Sequence, residues 1–524
     1  MEYRAFKELK ESISMSAYHD SNERSASSGC LIGTRIDQIK AIMEWIELGG
    51  GKKPFFLVLG PTGSGKTSLL NTIAENCKRK GYYAAGFFFS STDSGRNTSE
   101  RLINTIAYQI AVAIPQLRPY ISRIIAADST ILSRSLDSKT ISLLLEPLRL
   151  LRSDFPNFFP GARSFVIVVD ALDECGISEE QRRVIAALAE AVSDESFPLM
   201  CLLSSRFNPH IERGISTTLA GHIQDQVVLG KDDSAERADI RTYLGASMCN
   251  IRNDHVFGER IPREWPSESD LETIVQKSHG QFIYASTVIR YIQLPNHAPH
   301  ERLRYILGIP TSKSGRGAFT ELDALYRVMM SSIDNIETAI KILGIELVGL
   351  SSQFRVPAVG TMRVKFEEYF RSLNADIVLA PLASVLKCEG GKIQLYHTSF
   401  AEFLLDSSRS CEYFVQPRRW QAWMASQPSP FDDHRCMQIT AFVNKYLIPY
   451  SIDTAPIFAQ PDSRSRKGLC LLSIGMPFSS RRLLALMLVR RWWRRSRVID
   501  LVHLEGNPPP CPTPTKTKTN PPSL

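Results

Sequence analysis

The segment "PFFLVLGPTGSGKT", residues 54–67, constrains the fold of this chain more than any other. Its first half is a short apolar run that ends in glycine, the pattern of a strand buried on both faces. Its second half fits the spacing G-x-x-x-x-G-K-[ST], and the residues that follow favour a helix over 66–79. A strand, a glycine-rich turn and a helix in this order predict one unit of a parallel α/β sheet.

Four further apolar runs predict the other strands of this sheet. Helical patterns lie between them, at 98–113 and in "EEQRRVIAALAEAVSD". The predicted strands are "YYAAGFFFS" (82–90), "SFVIVVD" (164–170), "PLMCLLSS" (198–205) and "DQVVL" (225–229). Five buried strands alternating with helices predict a parallel, doubly wound α/β sheet of the P-loop type, in which ligands lie beyond the C-terminal ends of the strands.

The glycine-rich turn carries the residue types that a phosphate site requires. Glycines let backbone N–H groups point at phosphate oxygens at the start of a helix, where the helix dipole favours negative charge. Lys66 offers a positive charge to β- and γ-phosphates, and Thr67 a hydroxyl to Mg²⁺. A turn that only joined strand to helix would leave this Lys-Thr pair unexplained. We predict that ATP or ADP with Mg²⁺ binds here, at Gly60, Pro61, Thr62, Gly63, Ser64, Gly65, Lys66, Thr67 and Ser68.

The segment "FVIVVDALDECG" predicts the acidic half of the same site. Asp170 ends a buried strand, where its carboxylate can hold Mg²⁺ through water together with Thr67. Asp173 and Glu174 follow at a position where either could orient or activate an attacking water. A single acid at a strand end is common, but three acids directly after an apolar run favour a functional role.

Two arginines are candidates for contact with a γ-phosphate. Arg206 follows the strand in "LLSSRFNP", and it is predicted either to reach the phosphate or to be a surface arginine in a turn. Arg96, in "DSGRNTSE" after the second strand, has the same two interpretations.

The rest of the chain divides by pattern. "RIDQIKAIMEWIELGG" predicts a helix packed on the domain that follows, and after residue 231 the patterns are helical, with one short apolar segment, "GKIQLYH". "TSKSGRG" (311–317) reads as a linker. The predicted parts are 1–53 (lead-in helix), 54–230 (P-loop core), 231–310 (helical domain), 311–410 (winged-helix-like domain), 411–462 (helical extension) and 463–524 (basic, Pro-rich, disordered tail).

Charge and cysteine usage limit the function classes. Residues 463–524 hold 12 Lys and Arg against 2 Asp and Glu, whereas residues 1–462 hold 50 against 52. The body is close to neutral, so no nucleic-acid surface is expected. Ten scattered cysteines without a CxxC pair indicate reduced thiols and a cytoplasmic protein. No stretch approaches the roughly 18 apolar residues of a transmembrane helix.

Six motifs in order resemble those of fungal NACHT-type proteins of the signal-transducing ATPase (STAND) class, whose N-terminal domain is often described as nephrocystin-3-like. They are "GCLIGTRIDQIKAIMEWI", "GPTGSGKTSL", "VIVVDALDECG", "LLSSRFNPHI", "KSHGQFIYASTVIRYI" and "YHTSFAEFLLD". The resemblance spans roughly residues 28–410. It implies an ATPase core, a helical domain and a winged-helix domain that close over the nucleotide, and a switch that oligomerises or engages protein partners when ATP replaces ADP.

The resemblance also gives a role to His397. In such proteins the histidine that opens the winged-helix motif contacts the β-phosphate of ADP, and "YHTSFAEFLLD" places His397 there. Neutral His397 is expected to donate a hydrogen bond to that phosphate. Gly280 and Phe282 map near the adenine. From its own stretch alone, His397 reads equally well as the start of a buried helix.

Two departures from the family pattern leave alternatives open. Only about fifty residues precede the core, and no repeat array follows residue 410, so partner chains supply sensing and output, or the sequence is a truncated gene product. The tail "RRLLALMLVRRWWRRSR" fits either a membrane-surface helix or an out-of-frame translation. The expected function is a signalling switch with slow ATP hydrolysis, related to innate-immunity and cell-death proteins. The alternatives are a non-catalytic nucleotide-binding scaffold and an ordinary P-loop ATPase or kinase.

Overall fold

The first apolar run forms strand β1 (Phe55–Leu59), and all five of its side chains are buried. The other strands of the five-stranded parallel sheet are β2 (Tyr83–Phe88), β3 (Phe165–Asp170), β4 (Leu199–Ser205) and β5 (Ile223–Val228). The order is β2-β3-β4-β1-β5. The computed structural model describes residues 2–21, 29–49, 53–156, 165–193, 198–231, 233–309, 319–350, 367–417 and 419–420.

The strand order places the candidate motifs at one edge of the sheet. β4 lies between β1 and β3, with Leu59 opposite Ser205 and Val169 opposite Leu203. Because all strands are parallel, the turn after β1, the acids after β3 and the polar end of β4 meet beyond the same C-terminal edge.

Helices cover both faces of the sheet, so the predicted doubly wound α/β fold is confirmed. On one face, α2 (Ile36–Glu47) and α3 (Lys66–Lys80) bury side chains against Phe56, Val168 and Leu202. On the other face, one apolar cluster joins the remaining helices of this layer. These are α1 (Glu2–Glu11), α4 (Leu102–Ala113), α5 (Arg118–Ala127), α6 (Leu136–Thr140), α7 (Glu146–Asp154), α8 (Ser178–Ser193) and α9 (Pro209–Thr218).

Three details differ from the sequence reading or add to it. Helix α1 was not predicted, yet Phe6 and Leu9 are buried in the main core cluster. Helices α5 to α7 fill a stretch that the sequence patterns left unassigned. The fifth strand was expected to be buried, and this expectation is wrong, since β5 is an edge strand whose central residues are exposed. Its polar segment "IQDQ" suits an edge in contact with solvent.

Two smaller regions follow the sheet. The helical region, residues 233–309, contains α10 (Ser234–Asp254), α11 (Glu268–Ser278), α12 (Phe282–Ile292) and α13 (Pro299–Leu307). The hairpin region, residues 319–350 and 367–417, contains α14 (Thr320–Ser331), α15 (Ile336–Leu350), the antiparallel pair β6 (Leu386–Glu389) and β7 (Lys392–Leu395), and α16 (Thr398–Leu405), with four-residue helices at Ala375–Val378 and Ser407–Ser410. Residues 231–310 and 311–410 are predicted to be a helical domain and a winged-helix-like domain, and these assignments stay predictions.

Several sequence predictions lie outside the described residues. They are the linker 311–317, the helical extension beyond residue 420 and the basic tail 463–524. Among the helices that the structure does describe, none combines the length and the apolar character that a bilayer crossing requires.

Candidate nucleotide site

The turn after β1 depends on glycines for its shape and for its close neighbours. Gly63 (φ +78°) and Gly65 (φ +93°) adopt left-handed backbone conformations, which residues with a Cβ rarely take. A Cβ on Gly60 would lie 2.8 Å from the carbonyl oxygen of Leu229. The Gly63 carbonyl accepts a hydrogen bond of 3.0 Å from the Ile283 N–H, so the start of α12 is attached directly to this turn.

Lys66 is buried and its ammonium curls back onto the turn. Its Nζ donates to the carbonyl oxygens of Gly60 (2.8 Å) and Pro61 (2.9 Å). Burial lowers the pKa of Lys66, an effect that the nearby carboxylates of Asp173 and Asp170 oppose. In the described part of the chain no carboxylate forms a hydrogen bond with Lys66, and a buried positive charge of this kind is well suited to a phosphate group.

Thr67 and Asp170 meet directly across the sheet edge. The Thr67 hydroxyl donates to Asp170 Oδ2 at 2.6 Å, and Ser204 at the end of β4 donates to Asp170 Oδ1 at 2.5 Å. Ser204 Oγ also accepts the Ala171 N–H at 2.9 Å, so one serine orients the carboxylate and the turn after it. A hydroxyl and a carboxylate oxygen in contact fit Mg²⁺, which prefers few protein oxygens completed by phosphate and water.

The acids after Asp170 are brought back to the site by a tight turn. Ala171 is in the left-handed conformation (φ +54°), and the single 3₁₀ turn Leu172–Glu174 follows it. Asp173 Oδ1 accepts the Arg206 N–H at 2.9 Å. Glu174 Oε2 accepts the Ser91 N–H at 2.9 Å. Burial, followed by the charge of Asp173, raises the pKa of Glu174.

Arg206 joins these acids to the hairpin region. Its Nε lies 2.9 Å from Asp173 Oδ2, its Nη2 lies 3.6 Å from Glu174 Oε1, and its Nη1 lies 2.5 Å from Glu402 Oε1 on α16. Nη2 also donates to the Thr398 hydroxyl at 3.4 Å. The structure therefore gives Arg206 three carboxylate neighbours, one of which belongs to a distant part of the chain.

His397 faces the same cavity as the phosphate turn. Its Nδ1 accepts the Ser399 N–H at 3.0 Å and so caps α16. Burial, with the charges of Arg206, Lys66 and Arg290, lowers the pKa of His397 to about 3. The imidazole is therefore neutral, and because Nδ1 is an acceptor, its proton lies on Nε2.

The cavity between these elements has a volume of about 520 Å³, within the range of small-molecule sites. The predicted residues that line it are Thr62, Gly63, Gly65, Lys66, Thr67, Ser68, Asp170, Asp173, Glu174, Arg206 and His397. The other three predicted residues of the turn do not line it, and their carbonyl oxygens accept hydrogen bonds from Lys66 and Arg35: they are Gly60, Pro61 and Ser64. Phe282 lines the cavity and Gly280 does not. Arg96 lines it but pairs with Asp93 at 2.8 Å.

Sequence reasoning missed Arg35, which donates a hydrogen bond to a carbonyl oxygen of the phosphate turn. Arg35 is 2% exposed and left-handed (φ +57°). Its Nη2 donates to the Ser64 carbonyl at 2.9 Å and its Nη1 pairs with Glu236 on α10 at 2.9 Å. The guanidinium also lies over the Phe282 ring, 5.1 Å from its centre. Its only local signal is the "GTR" ahead of α2, because every one of these partners is distant in sequence.

Gly63→Ala is expected to destabilise the protein by about 3 kcal/mol or more, because it combines left-handed strain with a steric clash. A Cβ on Gly63 would lie 2.1 Å from Ile283 Cγ2. Gly221→Ala is the matched control, since Gly221 has φ +80° but no heavy atom within 4 Å of the added Cβ. Urea unfolding of both variants checks this. Equal losses would contradict the claim that the contact between Gly63 and α12 matters.

The strand order, the glycine turn with Lys66 and Thr67, and Asp170 on the neighbouring edge define a P-loop NTPase domain. A model of the nephrocystin 3 N-terminal family matches residues 33–206, about a third of the chain. The matched part runs from the segment before α2 to Arg206 and does not include His397. Comparison with curated proteins finds no match.

The solved structures to which the chain is similar are distant. The Aeropyrum pernix ORC2 protein, in its ADPNP-ADP complexes, is 13% identical, with a TM-score of 0.36 over 77% of this chain and 99% of that chain. C. elegans PCH-2 is 11% identical, with a TM-score of 0.32 over 58% of this chain and 71% of that chain.

Proposed function

We propose that this protein is a nucleotide-controlled signalling switch that is held closed by ADP and hydrolyses ATP slowly. The observation that carries the proposal is the position of His397. It belongs to the hairpin region, yet it lines the same cavity as the phosphate turn, and because the helix cap uses its Nδ1, the Nε2–H is the ring donor that remains for a ligand. A diphosphate bound by Lys66 would accept that hydrogen bond, so the nucleotide would hold two distant parts of the chain together.

In this proposal Lys66, the backbone amides of the turn and Thr67 bind the phosphates, and Asp170 with Thr67 holds Mg²⁺. The metal ion, when bound, would neutralise charge between the β- and γ-phosphates. Resemblance to fungal NACHT-type proteins of the STAND class supports this assignment, as does the match to the nephrocystin 3 N-terminal model. The same resemblance suggests a cytoplasmic protein that forms oligomers or binds protein partners when ATP replaces ADP.

Of the two candidate bases, we propose Glu174. Both oxygens of Asp173 are bound to Arg206, through its backbone N–H and its Nε. Glu174 has one oxygen on the Ser91 N–H and a second that is held only at 3.5 Å or more. Its raised pKa makes it a better proton acceptor for water. Since Arg206 is engaged by three carboxylates, hydrolysis is expected to be slow until Arg206 is released.

His397→Asn is the variant that tests the switch. Asparagine is a preferred N-cap residue, so it keeps the bond to the Ser399 N–H, but it is too short to donate into the cavity as Nε2 does. Loss of a hydrogen bond to a charged group is expected to speed ADP release by about 10- to 100-fold. Release is measured by displacement of a fluorescent ADP analogue from purified protein.

Three outcomes separate the alternatives. If His397→Asn releases ADP at the wild-type rate while Lys66→Met binds none, the proposed hydrogen bond from His397 to the diphosphate is wrong, although the nucleotide site stands. If ADP and ATP raise the unfolding temperature equally and neither changes the assembly state, the protein is a nucleotide-stabilised scaffold. Fast steady-state hydrolysis by a monomer would indicate an ordinary ATPase.

A further inference from the structure

Helix α12 brings the positively charged side chain of Arg290 to the nucleotide cavity. Phe282, Ser286 and Arg290 are spaced four residues apart, so they lie on one face of the helix, and all three line the cavity. The helix is held against the phosphate turn by the bond from the Ile283 N–H to the Gly63 carbonyl. Arg290 therefore has a defined position relative to the turn, although it lies 223 residues from Thr67 in sequence.

The guanidinium of Arg290 differs from those of the other arginines around the cavity. Arg35, Arg96 and Arg206 each pair with at least one carboxylate. Within the described part of the chain, Arg290 forms no ion pair. A guanidinium that lines a partly buried cavity without an anionic partner gains most from an anionic ligand.

Tyr396 holds Arg290 in a way that leaves its hydrogen-bond donors available. The guanidinium lies over the Tyr396 ring, 4.9 Å from the ring centre. A cation over a ring face is attracted by the π electrons of the ring, so this contact uses none of the hydrogen-bond acceptors that the guanidinium N–H groups could bind. Tyr396 directly precedes His397, and both residues line the cavity together with Arg290.

The charges in this part of the cavity favour an anion. Besides burial, the positive charges of Arg206, Lys66 and Arg290 lower the pKa of His397. Three cations therefore act on one imidazole, two from the sheet domain and one from the helical region. A diphosphate would offset the charges of Lys66 and Arg290 together and accept the Nε2–H of His397.

We propose that Arg290 binds the diphosphate of the nucleotide with its guanidinium edge, while Tyr396 holds the guanidinium face. This inference rests on the proposed nucleotide switch and adds a phosphate ligand from the helical region. Tyr243, Arg290 and Tyr396 also line a second cleft of about 1660 Å³, between the helical region and the hairpin region. Arg290 would thus bind the diphosphate at the place where these two regions meet. Without nucleotide, it would keep its contact with the Tyr396 ring.

Arg290→Gln tests whether Arg290 binds the β-phosphate, because ADP has this phosphate and AMP does not. Binding of ADP and of AMP is measured by calorimetry for the full-length chain. The variant is expected to bind ADP at least tenfold more weakly and AMP within threefold of wild type, because AMP lacks the phosphate that Arg290 contacts. Arg290→Lys should restore part of the ADP affinity, since it keeps the charge and loses the planar edge. Arg304→Gln, an exposed arginine on α13, is the control and should bind both nucleotides normally.

The outcomes distinguish this inference from the proposed function. If Arg290→Gln weakens ADP and AMP equally, or weakens neither, Arg290 does not bind the β-phosphate and the inference is overturned. If wild-type protein fails to bind ADP, or Lys66→Met binds it as wild type does, the nucleotide site itself is wrong. Thermal unfolding of each variant without nucleotide shows whether weaker ADP binding reflects loss of fold. If Arg290→Gln does not fold, Arg290→Lys, which keeps the charge, is compared with wild type instead.

Discussion

Lys66→Met is expected to weaken ADP binding by at least about 100-fold, the largest effect of any single change in the site. The Nζ of Lys66 is the cation closest to the phosphate turn, and its charge-assisted bonds to phosphate would contribute about 3 kcal/mol, or a hundredfold in affinity. Methionine keeps the aliphatic chain and removes the charge. Calorimetric titration with ADP measures the loss.

The same variant is expected to leave the nucleotide-free protein about as stable as wild type, within about 1 kcal/mol. Burial disfavours the charged form of Lys66 and lowers its pKa, so removing the charge offsets the lost bonds to carbonyl oxygens. Lys139→Met is the matched control: Lys139 is a buried lysine with a lowered pKa in the same domain, but outside the cavity. Equal loss of ADP binding in both variants would show that Lys66 acts through the fold.

Arg206→Gln is expected to lower the free energy of unfolding by roughly 3 kcal/mol, the largest stability effect of a charge change at the site. The substitution leaves Asp173, Glu174 and Glu402 without their shared cation. Asp173 and Glu174 are largely buried, and an unpaired buried charge costs more than a lost surface pair. Urea unfolding at neutral pH, without nucleotide, measures the change.

Glu402→Gln separates the two halves of this network. Glu402 is 32% exposed on its side chain, so solvent screens its pair with Arg206, and the cost of losing it is expected to be below about 1 kcal/mol. The variant keeps Arg206 on the two core acids but removes its ionic contact with α16. If Glu402→Gln and Arg206→Gln were equally destabilising, the core acids would contribute little, and the network would act only between regions.

The sheet and the phosphate turn could be predicted because their signals are local. An apolar run that ends in "GPTGSGKT" specifies strand, turn and helix within fourteen residues, and each strand of the α/β layer has a similar run. The proximity of Thr67 and Asp170 also followed, since the turn after β1 and the end of β3 lie at the same C-terminal edge of the sheet. Only the burial of β5 was wrong, because "DQVVL" resembles a core strand when its polar neighbours are ignored.

The contacts that join the regions could not be predicted, because they link residues far apart in sequence. Nothing in "LLSSRFNP" indicates that Arg206 meets Glu402, and nothing in "STVIRYI" indicates that Arg290 stacks on Tyr396. The N-terminal helix is a similar case: "EYRAFKELKE" is polar on average, yet its apolar side is buried in the main core. The functional roles of the site residues remain predictions.

The hydrogen bond from the Ile283 N–H to the Gly63 carbonyl does not depend on any side chain. It joins the phosphate turn to the helical region through main-chain atoms alone, so it survives most side-chain substitutions at position 283 that fit beside Gly63. A displacement of the turn would reach α12 whatever side chains α12 carries. Substitutions on the outer face of the helical region would therefore leave this main-chain link to the phosphate turn in place.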